Sequence, residues 1–313
     1  MPFNSHSFLT RVFIRDDRSN DSDFDYIFTN KKPEHLVLQP ELLVQAASGD
    51  LEATYQFGKF HVIDPYRIIA DIRQGAFFLK ESGSAGDPRA QYAYAQLLIY
   101  SFECGDYELE EPKTIINLLK TAGEAGNVHA QFLLADGYSL KQVHELDLYP
   151  DRSEGLYWWR KCALQGVAKA QCQYAYMLFE SNEWGDRIEG AYWLHTSHLS
   201  GHPGADVEFL DCVKWLAPTA DDDAYAAHVL GLANYHGTGL IRDAVKAEEL
   251  FLQAIDQGHS ESLACLGELY WNGHEDGVVS NKDKAIELLQ EAAKKGVPRA
   301  KECLLSMKGL NTV

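Results

Sequence analysis

His195, His198 and His202 stand three and four residues apart, a spacing that brings imidazoles to one face of a helix and could hold a transition metal. A metal-dependent hydrolase is the enzyme class such a set would serve. Gly201 interrupts the run before His202, and Gly-His recurs at Gly258-His259, so a repeated turn accounts for one member. His198 fills a slot that Ala163 and Ala293 hold elsewhere, and the competing reading for it is an ordinary surface or inter-repeat hydrogen bond. The cysteines, Cys104, Cys162, Cys172, Cys212, Cys265 and Cys303, show neither a recurring pair nor zinc spacing and read as reduced, structural thiols. The sequence contains no Walker loop, no dinucleotide fingerprint and no G-x-S-x-G elbow. Carboxylates are plentiful, but a catalytic pair needs a desolvated cleft to split its pKa values. The expectation is no catalytic residue, no metal and no cofactor.

Any site has to be positioned by a tandem repeat. Gly49, Gly86, Gly126, Gly166, Gly201, Gly258 and Gly296 are each followed four residues later by Ala or Ser, at gaps of 37, 40, 40, 35, 57 and 38. Self-similarity at this period marks a helical solenoid, whose helix pairs cover their apolar faces by stacking on neighbours. The clearest copies run from Leu230 to Ser262 and from Leu266 to Ala300. In the first, Leu230, Gly231 and Tyr235 mark one helix, with Gly231 small enough for a neighbour to approach, and Gly237 and Gly239 mark its end. Asp243, or Asn281 in the next copy, caps a second helix, whose buried stripe is read through Leu250, Phe251 and Ala254, or Leu288 and Ala292. Four residues before the glycines a column of small residues, Ser82, Ala122, Cys162, Ser197, Ala254 and Ala292, predicts tight helix crossing.

These residues resemble the Sel-1-like repeats, close relatives of tetratricopeptide repeats. The last two units fit that pattern almost throughout, and Phe57-Gly58, Tyr94-Ala95, Leu134-Ala135 and Tyr174-Ala175 fill its Leu-Gly slots in degenerate earlier units. The resemblance implies an all-α fold: a right-handed α/α superhelical solenoid of antiparallel helix pairs over residues 41–310, with the first helices lining a concave face. Residues 1–40 are acidic and non-repeating, and are expected to form a short irregular cap or arm. A register break falls near 202–223. Aligning Asp222 with the missing glycine leaves one shortened unit lacking a helix, with Pro218 and Asp221-Asp222-Asp223 as a stop and a new cap, and a kink expected there.

Composition bounds the partners. Of 313 residues, 46 are acidic and 28 basic, and the net charge of -18 disfavours nucleic acid and anionic lipid. No apolar stretch reaches the roughly 18 residues of a membrane span, and the first residues lack a signal-peptide cleavage site, so a cytoplasmic location is expected.

On the concave face the first-helix positions expected to be exposed are Tyr55 and Lys59; Arg89, Tyr92 and Gln96; His129, Phe132 and Asp136; Lys169 and Tyr176; Tyr225 and His228; and Glu261, Glu268 and Trp271. Large aromatics beside mixed polar groups have the composition of a binding hot spot, and the alternative is packing between adjacent units. An acidic rim is expected from turn insertions: Glu103, Asp106, Glu108, Glu110 and Glu111, then Glu145, Asp147, Asp151 and Glu154, then Glu183, Asp186, Glu275 and Asp276. It is either simply solvated or opposed to a basic partner. The functional expectation is a non-catalytic protein–protein interaction module, an adaptor or regulator. The alternatives are an immunity-type inhibitor of a basic bacterial toxin and, on the histidines alone, a metal-dependent hydrolase.

Overall fold

A computed structural model describes residues 40–63, 72–104, 112–139, 149–275 and 277–309. The expected N-terminal cap lies outside the described residues except for Pro40, the first residue of α1. Among the described residues there are fifteen α-helices and no strand. The chain divides into two compact units, Met1–Gln165 and Gly166–Val313. The first holds α1 (Pro40–Ala47), α2 (Leu51–Ile63), α3 (Ile72–Ser84), α4 (Pro88–Cys104), α5 (Pro112–Glu124), α6 (Val128–Ser139) and α7 (Arg152–Leu164). The second holds α8 (Ala168–Phe179), α9 (Trp184–Leu199), α10 (Ala205–Thr219), α11 (Ala224–His236), α12 (Ala244–Asp256), α13 (Glu261–Asn272), α14 (Lys282–Lys294) and α15 (Pro298–Gly309). The hairpins are α2/α3, α4/α5 and α6/α7 in the first unit and α8/α9, α11/α12 and α13/α14 in the second.

The repeat glycine ends each second helix with a fixed pair of hydrogen bonds. At Gly126 its own N–H donates to Gly123 O at 3.1 Å, and the N–H of Asn127 donates to Ala122 O at 2.9 Å. The same pair at Gly258 measures 2.9 Å to Ile255 O and 2.8 Å, from His259, to Ala254 O. This is the left-handed cap that satisfies the last carbonyls of a helix, and φ is +95° at both glycines. The residue after the glycine starts the next helix, as where Asn127 Oδ1 accepts from Ala130 N at 2.9 Å. Gly126→Ala should therefore cost about 1 kcal/mol through backbone strain alone, since an added Cβ meets nothing within 4 Å. A thermal melt checks it, and an unchanged midpoint would contradict the left-handed cap.

The small column behaves as its composition requires. Ser82, Ala122, Cys162, Ser197, Ala254 and Ala292 are all fully buried. Each observed bond from the column reaches the first turn of the first helix in its own unit: Ser82 Oγ donates to Leu51 O at 3.5 Å and Ser197 Oγ to Ala168 O at 2.7 Å. Three residues before the small column runs a second buried column, Leu79, Leu119, Trp159, Leu194, Phe251 and Leu289, of which Leu79, Phe251 and Leu289 face Gly58, Gly231 and Gly267. The buried stripe of α14 thus passes through Ala285, Leu289 and Ala292, four and three residues apart, whereas Leu288 lies on its flank and is half-buried. That corrects the expected register by one residue. Asp243 and Asn281 cap α12 and α14 as expected, accepting from Lys246 N at 2.8 Å and Lys284 N at 3.1 Å.

Between α9 and α11 the unit is incomplete: α10 has no second helix, and α9 packs on both α10 and α11. Pro218 sits in the last turn of α10, whose final residue is Thr219. The glycine cap is missing here. Asp222 and Asp223 both donate to Thr219 O, at 3.1 and 3.0 Å, and Asp223 then caps α11 by accepting from Tyr225 N and Ala226 N.

Candidate functional site

The expected binding positions form rungs between neighbouring first helices. In the first unit the Arg89 guanidinium lies 4.5 Å from the centre of the Tyr55 ring and donates to Glu52 at 2.6 Å and to Asp87 at 2.8 Å. One repeat later His129 stacks on Tyr92, with centroids 5.6 Å apart, and Gln96 Nε2 donates to Tyr92 Oη at 2.6 Å. In both rungs the residue preceding a repeat Ala reaches back over the aromatic ring two residues after the previous repeat Ala. In these two rungs the neighbouring first helices lie close enough for that reach. Lys59 Nζ approaches the Tyr55 ring at 5.7 Å, and Phe132 meets Trp159 edge-on at 4.9 Å.

This packing corrects the expected exposure. Tyr55, Lys59, Tyr92, Gln96 and His228 are buried, while Arg89, His129, Phe132, Asp136, Glu268 and Trp271 are half-buried. Tyr176 is exposed. In the second unit Arg299 grips Glu268 with two hydrogen bonds of 2.7 and 2.6 Å, Cys303 Sγ donates to the same carboxylate at 3.0 Å, and Lys282 lies 5.0 Å over Trp271. The salt-bridged carboxylates pull Arg89 further above its ordinary range, through hydrogen bonds to Asp87 and then Glu52 that outweigh its desolvation. Glu52 and Asp87 are correspondingly held low.

The histidine run is not brought to one point. His195 is buried, with Nδ1 2.8 Å from Thr238 Oγ1 and its ring 5.4 Å from that of His236. Among the described residues, no three His, Cys, Asp or Glu side chains come together in a way that could hold a metal ion. A different histidine pair is built instead. His228 Nδ1 and His259 Nδ1 both lie 2.9 Å from Ser262 Oγ, with their rings 4.3 Å apart and Tyr225 stacked on each. Burial pushes both His195 and His228 down to about 3, with the neighbouring imidazoles adding repulsion.

Sequence reasoning also passed over buried glutamines. Gln91 Nε2 donates to Gly83 O at 2.9 Å and Gln131 Nε2 to Gly123 O at 2.7 Å, tying each first helix to the preceding second helix. The signal was present, because Ala-Gln recurs at Ala90-Gln91, Ala130-Gln131 and Ala170-Gln171.

Much of the expected rim, Asp106, Glu108, Glu110, Glu111, Glu145, Asp147 and Asp276, lies outside the described residues. Two other members do structural work. Asp151 caps α7 by accepting from Ser153 N at 2.9 Å, and Glu154 pairs with Lys120 at 2.8 Å. Glu183 and Glu275 are exposed.

No helix among the described residues is long and apolar enough to cross a membrane. Residues 128–167, 168–197, 224–259 and 260–297 match the Sel1 repeat. These segments coincide with the hairpins α6/α7, α8/α9, α11/α12 and α13/α14, and they skip the stretch that holds α10. A curated relative, an uncharacterized protein of Neisseria meningitidis serogroup B, is 25% identical over 237 residues, covering 72% of this chain and 47% of the relative. The chain thus spans about half of that protein's length. Among solved structures, a protective antigen of uropathogenic Escherichia coli displaying an SLR fold is 21% identical with a TM-score of 0.44, covering 85% of this chain and 58% of its own. A Sel1 repeat protein from Oxalobacter formigenes is also 21% identical, with a TM-score of 0.31, covering 72% of this chain and 80% of its own. Four matched copies fall on its helix hairpins, so the chain carries Sel1 repeats over these segments.

Proposed function

We propose that this chain is a non-catalytic adaptor or regulator that binds a protein partner with a basic surface through the open edges of its first-helix rungs. Sel1 repeats generally serve as protein–protein interaction modules. The observation that carries the finer reading is the stacking of Arg89 on Tyr55 and of His129 on Tyr92, which fixes polar and aromatic groups before any partner arrives. Groups already held in one rotamer lose little entropy on binding, so half-buried His129, Phe132 and Asp136 are economical contacts. The net charge of -18 supports a basic partner and a salt-sensitive association rate.

The test is capture from native cell lysate on the immobilised full chain, with washes at low and high salt. A basic protein retained in stoichiometric amount at low salt and released at high salt is the expected outcome. Retention of only acidic proteins, indifferent to salt, would overturn the charge argument.

A further inference from the structure

Ser262 breaks the repeat at one position. The residue four after the repeat glycine is otherwise Ala, at Ala53, Ala90, Ala130, Ala170, Ala205 and Ala300, so packing at this slot requires no hydroxyl. Ser262, in the first turn of α13, is fully buried. Its Oγ lies 2.9 Å from Nδ1 of His228 on α11 and 2.9 Å from Nδ1 of His259 in the turn before α13, and it makes no other hydrogen bond among the described residues. His259 Nε2 lies 3.6 Å from Glu261 Oε2, and the backbone N–H of His259 donates to Ala254 O at 2.8 Å, which fixes the turn. The order of acid, histidine and serine makes no nucleophile here, because the serine is sealed from solvent.

Proton counting restricts this network. A hydroxyl carries one hydrogen, and a neutral imidazole carries one on either of its nitrogens. If both Nδ1 atoms were bare, one of them would face the hydroxyl oxygen with no hydrogen between. If both were protonated, the hydroxyl hydrogen would have no acceptor. Either arrangement leaves a buried polar group unpaired, so the two histidines hold opposite tautomers. The Glu261 carboxylate favours a hydrogen on His259 Nε2. His259 Nδ1 then accepts from Ser262, and Ser262 Oγ accepts from His228 Nδ1. A further proton has no place in this chain, since on His259 Nδ1 it would meet the hydroxyl hydrogen of Ser262.

The neighbouring groups decide where that proton lands. Burial holds His259 below its ordinary range, while Glu261 and Asp223, the N-cap of α11, pull it back up. His228 is held down by burial first and then by repulsion from His259, from His195 on α9 and from Arg299 on α15. From α12 it meets the uncharged Phe251 ring, 6.0 Å away. Tyr225, on α11, stacks on the two rings at 6.2 and 5.6 Å, and burial keeps it a neutral phenol. His259 is therefore the entry point.

We propose that Glu261, His259, Ser262 and His228 form a proton-operated latch between α11 and α13, closed while the histidines hold opposite tautomers and released when His259 takes a second proton. Release parts Ser262 from His228 and frees Tyr225 from its stack. The closed form resists that proton and the open form does not, so the latch is fully held above pH 6.5 and weakens as the pH falls below it. It needs no partner, so it stands or fails apart from the binding reading above.

The experiment is nitrogen NMR of the full chain carrying isotope-labelled histidine, with amide hydrogen exchange on the same samples. At pH 7.5 the ring signals should show His228 protonated on Nδ1 and His259 on Nε2. Lowering the pH to 5.5 should raise the opening of α11, read from its amide exchange, about fivefold more in wild type than in a His259→Gln chain. Ser262→Ala installs the residue of the other copies and should leave helix content by circular dichroism unchanged. In that chain His228 should no longer hold its hydrogen on Nδ1. The same tautomer at both histidines, the reverse order, an equal pH response in His259→Gln, or His228 still protonated on Nδ1 in Ser262→Ala would each overturn the proposal.

Discussion

Gly231→Leu should destabilise the second unit by about 3 kcal/mol, the upper part of the range for forcing atoms into a packed core. A Cβ at Gly231 would stand 2.7 and 2.8 Å from Cε1 and Cδ1 of Phe251, and that ring is fully buried. It cannot swing into solvent. The equivalent slots in three other units hold Ala95, Ala135 and Ala175, all small and all buried. Gly58 and Gly267 are as tightly placed as Gly231, with an added Cβ falling 2.9 Å from Leu79 Cγ and 2.8 Å from Leu289 Cγ. Urea denaturation gives the measurement. A Gly231→Leu midpoint equal to wild type would mean that α11 and α12 do not cross where the Gly231–Phe251 contact places them.

Mild acid should be the second large effect. His195 and His228 have a folded-state pKa of about 3 against an ordinary value of 6.5, so the folded protein leaves both neutral while the unfolded chain protonates them. Their contribution to stability is complete above pH 6.5 and is lost as pH falls toward 3. At pH 5 the loss is about 2 kcal/mol for each histidine, from about 1.4 kcal/mol per pH unit. The groups facing them act in the same direction: His236 and His198 repel a charge on His195, while His259, His195 and Arg299 repel one on His228. Carboxylates held low, such as Asp87 and Glu52, matter only at more acid pH. The readout is the difference in unfolding free energy between pH 7.5 and pH 5 for wild type and for a His195→Gln/His228→Gln chain. Wild type should lose about 4 kcal/mol more than the double variant. Parallel losses would show that neither imidazole is kept neutral by the fold.

What was legible in the sequence was whatever the repeat imposes locally. Glycines at helix ends, caps such as Asp243 and Asn281, and the small column at Ser82 and Ala122 depend on neighbours a few residues away, and the structure places them where spacing predicts. The shortened unit was visible because Ala226, Leu230 and Gly231 fall into frame only if a helix is omitted. Side-chain exposure on the first helices was not legible. Tyr55 and Tyr92 share the slot expected to face outward, but Arg89 and His129 arrive from 34 and 37 residues further along to cover them. The histidine partners were hidden for the same reason, since Thr238 lies 43 residues from His195 and Ser262 lies 34 from His228. A hydroxyl that far away carries no local pattern. The one-residue error between Leu288 and Leu289 has a simpler origin, because two adjacent leucines both satisfy a helical period and only packing chooses between them.

The rungs have a further consequence for how binding would be read. Because Tyr92 is buried under His129, its truncation removes core as well as surface, and a loss of affinity there would be ambiguous. Half-buried Phe132 and Asp136 are cleaner probes, and they lie four residues apart on α6. The most direct measurement is therefore the affinity of the captured partner for wild type and for a Phe132→Ala/Asp136→Ala chain, by calorimetry at low and high salt. The account predicts at least tenfold weaker binding for the variant, about 1.4 kcal/mol, with a smaller salt dependence because one carboxylate is gone. Equal affinity at both salt concentrations, in a variant that melts like wild type, would contradict binding through the first-helix rungs.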